Sequence, residues 1–305
     1  MKICVASNSY NGAVRWSQLF ESIKRREPGF SREDMLLACV DDGSPDAAAM
    51  QRVAEVYGAG AYTRFPVNRG IPAGWNECAR LAWDHNCDVV VILNDDILVV
   101  DNWLGPMIHF VTQNPRVAAA SWNIHWFKPE DVPDLLDNPT ACCPRGYDGA
   151  TQDKVFDPSR RASEMATRPS RIMCMAGCCF AIHRPMLHRI GPFDDQFTSF
   201  FEESDWGSRA AGMGYASYGG VTPYLYHEWA ATFKANDVAL RPGTRMEESR
   251  VRYCRKWGVD TGEPDCFRPV NRRLMPLIPA EEISWVGMDG QVRQRVVAQG
   301  EGVAG

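Results

Sequence analysis

An α/β fold built on a mostly parallel central sheet, with helices on both faces, is predicted by three observations. Apolar runs alternate with amphipathic helical segments from Lys2 to Trp122. Two of those runs, Leu36–Val40 and Val89–Leu93, are uninterrupted, as expected of strands buried on both faces. Each stops at an acidic cluster, Asp41-Asp42-Gly43-Ser44 and Asn94-Asp95-Asp96. Carboxylates just beyond such strands lie in the crevice where open α/β sheets bind ligands. A third cluster, Glu202-Glu203-Ser204-Asp205, follows two phenylalanines. Acids gathered this way without matching bases suggest a bound cation and a phosphate-bearing substrate that shares it.

In chain order, Lys2–Ala6 reads as a short strand and Asn8–Gly12 as a turn. Trp16, Leu19, Phe20 and Ile23 then fall on one face of a helix. After the second strand, Ser44 or Asp46 can cap a helix over Ala47–Tyr57, closed by Gly58. Tyr62–Phe65 is a third strand. Pro72 suits the first turn of the next helix, whose apolar face carries Trp75, Cys78, Ala79 and Ala82. The strand ending at Leu93 precedes a helix aligning Leu104, Met107, Ile108 and Val111. Val117–Trp122 closes the alternating part. Residues 127–170 hold several prolines and little periodicity, which predicts a functional or disordered loop. Arg171–His183 reads as one apolar strand, and the third acidic cluster opens a helix ending near Gly212. A domain over 1–236 is expected, then an extension over 237–305 whose end, Gln299–Gly305, looks frayed.

A chain of 305 residues with 45% hydrophobic content can bury a full core. Its net charge of −5 exerts no global pull toward nucleic acid or anionic membrane. The start turns polar too early for a signal peptide, and no apolar stretch approaches the roughly 20 residues that span a bilayer. Eleven cysteines without a secretory signal read as reduced thiols, so a cytoplasmic location is expected.

Each motif also has a bland reading. Asn94-Asp95-Asp96 could be a polar turn, but its oxygens also suit Mg2+ or Mn2+, which often takes one or two carboxylates plus substrate phosphates. Asp41-Asp42-Gly43-Ser44 could be a capped turn, or Asp41 could accept hydrogen bonds from a nucleobase. Acids in a first helical turn complement the macrodipole, and Asp205 can pair with Arg209. Three acids behind Phe200-Phe201 exceed that need, and a carboxylate in a partly apolar pocket can act as general base. His227 after Tyr224-Leu225-Tyr226 is structural or a ligand. Cys142, Cys143, Cys174, Cys178 and Cys179 fit none of the paired zinc spacings.

Taken in order, these segments resemble the family 2 type of GT-A glycosyltransferases, in particular the rhamnosyltransferase-like branch. The match runs from Ile3 to about Gly258. It takes in Val40–Ser44, Asn68-Arg69-Gly70 with Asn76, Leu93–Asp96 and Ala176–Arg184. Further along it includes Gly191-Pro192-Phe193-Asp194, the acidic helix, His227 and Lys256-Trp257-Gly258. The resemblance implies a GT-A fold and a metal-dependent, inverting transfer from a nucleotide-diphosphate sugar to an acceptor hydroxyl. It implies that Asp41 contacts the base, that Asn94 and Asp95 lie near the ribose and diphosphate, and that Ser7, Asn8, Asn68 and Arg69 join the donor-binding set. Asp96 and His227 are the implied ligands of Mn2+ or Mg2+. Glu203 stands where the family carries an aspartate base, with Glu202 as rival and Asp205 as a supporting acid. The acceptor expected is a glycan or lipid-linked saccharide. A hydroxylated DNA base would need the arginines over 145–171 and 241–256 to track phosphates, against the acidic overall charge. A sugar-phosphate nucleotidyltransferase would need a Gly-rich N-terminal loop that this chain lacks, and a non-catalytic carbohydrate-binding protein would show no turnover.

Overall fold

The computed structural model describes residues 1–27, 33–122, 124–127, 129–137, 146–147, 154–155, 169–172, 175–222, 224–228, 236, 242–263, 265–287 and 289–302. Its centre is an eight-stranded sheet. β1 (Ile3–Ser9), β2 (Met35–Asp41), β3 (Ala61–Arg64) and β4 (Val89–Asn94) form one half. β6 (Val117–Ser121), β10 (Ser170–Ile172), β11 (Cys179–His183) and β12 (Ala216–Gly219) form the other. The spatial order is β10-β12-β6-β11-β4-β1-β2-β3. β11 runs antiparallel to both β4 and β6, and β10 antiparallel to β12. The other strands share one direction. The sheet is therefore mixed but mostly parallel, as the uninterrupted apolar runs predict.

Helices cover it because their apolar stripes require it. α1 (Ala13–Arg26) buries Trp16, Leu19, Phe20 and Ile23 in a cluster with Val5, Leu37 and Val91. α2 (Ala47–Val56) starts at Asp46, whose side chain accepts from Ala49 N at 2.9 Å. α3 (Ile71–Asp84) sits on the opposite face with Trp75, Cys78 and Ala82 among Ala6, Ala38 and Ile92. α4 (Gly105–Gln113) contributes Met107, Ile108, Phe110 and Val111.

Three expectations are revised. Arg171–His183 is not one strand: β10 lies at the far edge, and the chain crosses through Ala176-Gly177 before β11 enters beside β4. Of the Pro-rich 127–170 segment, 128, 138–145, 148–153 and 156–168 lie outside the described residues. Its first part forms a single turn, then the short helix α5 (Val132–Asp137), which buries Val132 and Leu135. Arg25 and Arg26 hold α5 against α1 through Asp137 and the Leu136 carbonyl. The C-terminal extension is part of the same core. α8 (Pro242–Trp257), α9 (Phe267–Leu274) and the hairpin β14 (Glu281–Val286) and β15 (Val292–Val297) place Tyr253, Val270, Ile283 and Val297 in one apolar cluster with the sheet. Gln299–Gly302 is tied down rather than frayed, through Gln299 to the Pro276 carbonyl, Gly300 N to the Ile278 carbonyl, and Glu301 to Arg295.

Arg171 locks the hairpin to the sheet edge. It is 1% exposed and donates to Tyr218 Oη, the Ala298 and Pro279 carbonyls, and Glu281 at 3.0 Å. A buried charge pair broken on one side leaves the other uncompensated. Arg171→Ala is expected to cost about 3–5 kcal/mol in urea unfolding. A loss below about 1 kcal/mol would mean the hairpin does not depend on this contact. Among the described residues no helix is long and apolar enough to cross a membrane.

Candidate functional site

The ends of β1, β2 and β4 form one edge because the three strands are parallel and in register. Asn8 lies beside Asn94, and Ser9 beside Asp41. That register gathers residues far apart in sequence without any local motif. The Asn8 amide packs against α3 at Gly74, where a Cβ would come within 2.6 Å of its nitrogen. Its Oδ1, like Asn68 Oδ1, is buried with no hydrogen-bond partner among the described residues. Buried acceptors left open at a strand edge are what a ligand donor would satisfy.

The acids divide by partner. Asp41 is fully buried and held by Ser44 N at 2.8 Å, Arg64 Nε at 3.1 Å and Tyr62 Oη at 3.3 Å. Ser7 is likewise committed to the scaffold, its hydroxyl accepting the Trp16 indole N–H at 2.9 Å. Asp42 accepts from Asn68 Nδ2, Arg69 N and Gly70 N, and so shapes the 68–70 turn. The Arg69 guanidinium lies over the Phe65 ring at 4.8 Å. Asp95 takes the Ser9 hydroxyl and faces Arg15 at 3.4 Å. Asp96, one residue on, faces His227 instead, with Nε2 to Oδ1 at 3.0 Å.

A small second sheet brings His227 there. β5 (Ile97–Leu98) pairs with β13 (Leu225–His227), which sets His227 opposite Ile97 and ties Glu228 N to the Asp96 carbonyl. Burial pulls the imidazolium pKa down, but Asp96 and the Cys178 thiol outweigh it and hold His227 well above its ordinary value. One carboxylate oxygen and one imidazole nitrogen this close suit a divalent cation that completes its shell with substrate oxygens. Among the described residues no group of three His, Cys, Asp or Glu gathers around a metal position. Cys178 and Cys179 lie with their sulfurs 3.8 Å apart, while Cys142, Cys143 and Cys174 lie outside the described residues.

The third cluster starts α7 (Glu202–Gly212). Glu203 lies beside Gly177: a Cβ there would sit 3.5 Å from the Glu203 carboxyl carbon and 3.0 Å from the Trp75 ring. Glu202 is 3% exposed, and burial, then the neighbouring Glu203 charge, pushes its carboxyl well above the ordinary range. Asp205 has a different task. It accepts from Arg209 Nε at 3.0 Å, Lys256 Nζ at 2.9 Å and Trp257 Nε1 at 3.1 Å, joining α7 to α8.

Ser9, Arg15, Asp42 and Gly177 escape a sequence reading. Arg15 begins a helix, and no spacing links it to Asp95. Burial pushes the Asp42 carboxyl up to about 7, against the pull of the Arg69 and Gly70 amides. Its folded value exceeds its unfolded one, so the folded state binds the extra proton between about pH 4 and 7, and stability falls as pH rises through that window. Asp42→Asn is expected to flatten the fall, by up to about 1.4 kcal/mol per pH unit. Urea midpoints that shift with pH equally in both proteins would remove Asp42 as the source.

The model of the family described as Glycosyl transferase family 2 matches residues 5–191. No curated protein matches the chain. Among solved structures, the mannosyltransferase PcManGT from Pyrobaculum calidifontis, in complex with GDP-Man and Mn2+, superposes with a TM-score of 0.53 at 20% identity, over 88% of this chain and 67% of that one. GalNAc-T7 with UDP, GalNAc and Mn2+ gives 0.55 at 16% identity over 74% of this chain, which spans 43% of that protein. TarS 1-349 from S. aureus gives 0.54 at 14% identity, covering 91% and 71%. At these identities the structural likenesses establish the architecture, an α/β GT-A-like fold.

Proposed function

The chain belongs to glycosyl transferase family 2, and from that premise we propose a metal-dependent, inverting transfer of a hexosyl or deoxyhexosyl group to a saccharide hydroxyl. The donor is a nucleotide-diphosphate sugar, bound along Asn8, Asn68, Arg69, Asn94 and Asp95. Asp96 and His227 hold the cation, and Glu203 is the general base. The observation that carries the reading is the division of partners among the acids. Arg15 and Ser9 engage Asp95, and three donors of α7 and α8 engage Asp205. Asp96 instead lies against a second metal-type donor, and Glu203 stands beside Gly177 and the Trp75 ring at the start of α7.

The choice between the two glutamates follows from charge. A base must accept a proton, and burial, then the neighbouring Glu203 charge, raises the Glu202 carboxyl well above the ordinary range, which favours its neutral form. Glu203 therefore takes the acceptor hydroxyl proton as that oxygen attacks the anomeric carbon. Gly177 lets the backbone pass close to Glu203 and the Trp75 ring, where a Cβ would already crowd the indole. Asn8 and Asn68 offer their open amide oxygens to donor N–H or O–H groups. When bound between Asp96 and His227, Mn2+ or Mg2+ supplies positive charge against the departing diphosphate. Two structural neighbours were solved with Mn2+, which supports that cofactor. The rhamnosyltransferase-like branch is part of this reading and rests on the ordered motif series that Lys256-Trp257-Gly258 closes; the first two of those side chains reach Asp205.

A thermal-shift panel of nucleotide sugars with Mn2+ tests the reading. The true donor at a hundred times its dissociation constant stabilises by roughly 2.7 kcal/mol. It should then release nucleoside diphosphate when a saccharide acceptor is added. A panel without any shift or turnover would favour a non-catalytic protein of this fold.

A further inference from the structure

Asp42 stands at the start of a chain of contacts that ends at the two glutamates. Its carboxylate lies just beyond β2, is 3% exposed, and accepts from three consecutive residues: Asn68 Nδ2 at 2.9 Å, Arg69 N at 2.6 Å and Gly70 N at 3.0 Å. It therefore fixes the whole 68–70 turn rather than one side chain. Gly70 has φ +89°, and any Cβ there would collide with the Thr198 carbonyl. Ile71 N donates to the same carbonyl at 3.0 Å. The turn is thus seated directly against the segment that leads into α7.

That segment is strained. Phe200 and Phe201 have φ of 64° and 69°, two successive non-glycine residues in the left-handed region. Such a backbone persists only when its surroundings over-determine it. Here the surroundings are two-sided. From α8, Ser249 Oγ donates to the Ser199 carbonyl at 2.7 Å, and Tyr253 packs on Phe201, which also stacks on Phe267. From the donor side, Gly70 and Ile71 seat against the Thr198 carbonyl, and the Arg69 guanidinium lies 3.9 Å from Asp195. Phe201 then accepts from Asp205 N at 2.9 Å, closing the first turn of α7, which carries Glu202 and Glu203.

We propose that Asp42 is a positioning residue for the Glu202–Glu203 pair, acting through the 68–70 turn and the Thr198 carbonyl to set the carboxylate that meets the acceptor. The inference rests on the proposed base at this helix start. It explains why an acid is buried under a turn whose amides water could otherwise satisfy. It also links the donor side of the crevice to the acceptor side without a residue that touches both.

The test is a double-mutant cycle on single-turnover transfer, with donor and acceptor saturating, at alkaline pH where Asp42 is ionised. Residues that act through one group are non-additive with its loss. Asp42→Asn in the otherwise native chain is expected to slow transfer roughly 10- to 100-fold, the cost of a misplaced catalytic group. In a Glu203→Gln background it should cost less than about threefold, because the group it positions is already gone. Equal losses in both backgrounds would overturn the proposal and leave Asp42 a donor-site or stability residue. Donor affinity, measured by calorimetry on all four proteins, separates a binding effect from a positioning one. If Asp42→Asn fails to fold, Asn68→Ala removes one of the three donors and goes through the same cycle, with a smaller non-additive loss expected and an additive one decisive against. If Glu203→Gln retains transfer, the base assignment fails rather than the coupling, and the cycle is run on Glu202→Gln, which shares the same helical turn.

Discussion

Glu203→Gln is expected to bind donor as the native protein does and to lose transfer by roughly 10² to 10⁴ fold, the usual contribution of a general base. The amide keeps the shape beside Gly177 and Trp75 but cannot take a proton. Donor binding should persist because the Asn8, Asn68 and Asp96 contacts lie on other elements. Glu202→Gln should cost far less, since burial raises that carboxyl well above its ordinary range and glutamine reproduces the neutral form this favours. Its stability should change little or improve at neutral pH, where a buried charge would be costly. The stereochemistry belongs to the same argument. One carboxylate near the acceptor suits a single in-line displacement, which places nucleophile and leaving group on opposite faces of the anomeric carbon. NMR of the product anomer decides it: retention would rule out the single displacement. A nearly active Glu203→Gln would pass the base role to its neighbour.

How much of this could be read from the chain depends on the range of the interaction. Local patterns carried the scaffold. The runs Leu36–Val40 and Val89–Leu93 became central strands, and Trp16, Leu19, Phe20 and Ile23 became the buried face of α1. Asp46 and Pro72 marked helix starts through chemistry confined to one turn. The site is different, because its partners meet across the sheet. Nothing near Asp95 announces Ser9 or Arg15, and only the parallel register of β1 and β4 brings them together. Ser7 and Asn8 show the same limit at shorter range. Alternation along one strand turns Ser7 to the Trp16 indole and Asn8 to Gly74, and sequence alone does not say which face meets the ligand. Arg171–His183 misled for a related reason. A Gly-containing apolar stretch reads as one strand, whereas the chain leaves the sheet after β10 and passes through Ala176-Gly177, close to Glu203, before β11 begins.

The cation prediction turns on two adjacent aspartates with opposite surroundings. Asp96→Ala is expected to lose metal-dependent nucleotide-diphosphate affinity by more than the roughly 10- to 100-fold typical of groups that only orient a ligand. His227→Ala should act in the same direction, because the pair lies within 3.0 Å and offers oxygen and nitrogen together. Asp95→Ala should behave otherwise. Asp95 faces the Arg15 guanidinium at 3.4 Å and takes the Ser9 hydroxyl, so its removal takes a carboxylate away from a largely buried cation. That loss should register first as lowered stability in urea unfolding. Titration calorimetry of nucleoside diphosphate, with Mn2+ and then with excess chelator, reads the difference directly. Native protein should lose tight binding on chelation, and Asp96→Ala should bind weakly in both conditions. Full turnover in excess chelator would take the metal out of the mechanism. An Asp96→Ala protein that keeps Mn2+-dependent affinity would move the cation away from the Asp96–His227 pair, and Asp95 would then have to exchange Arg15 for the metal.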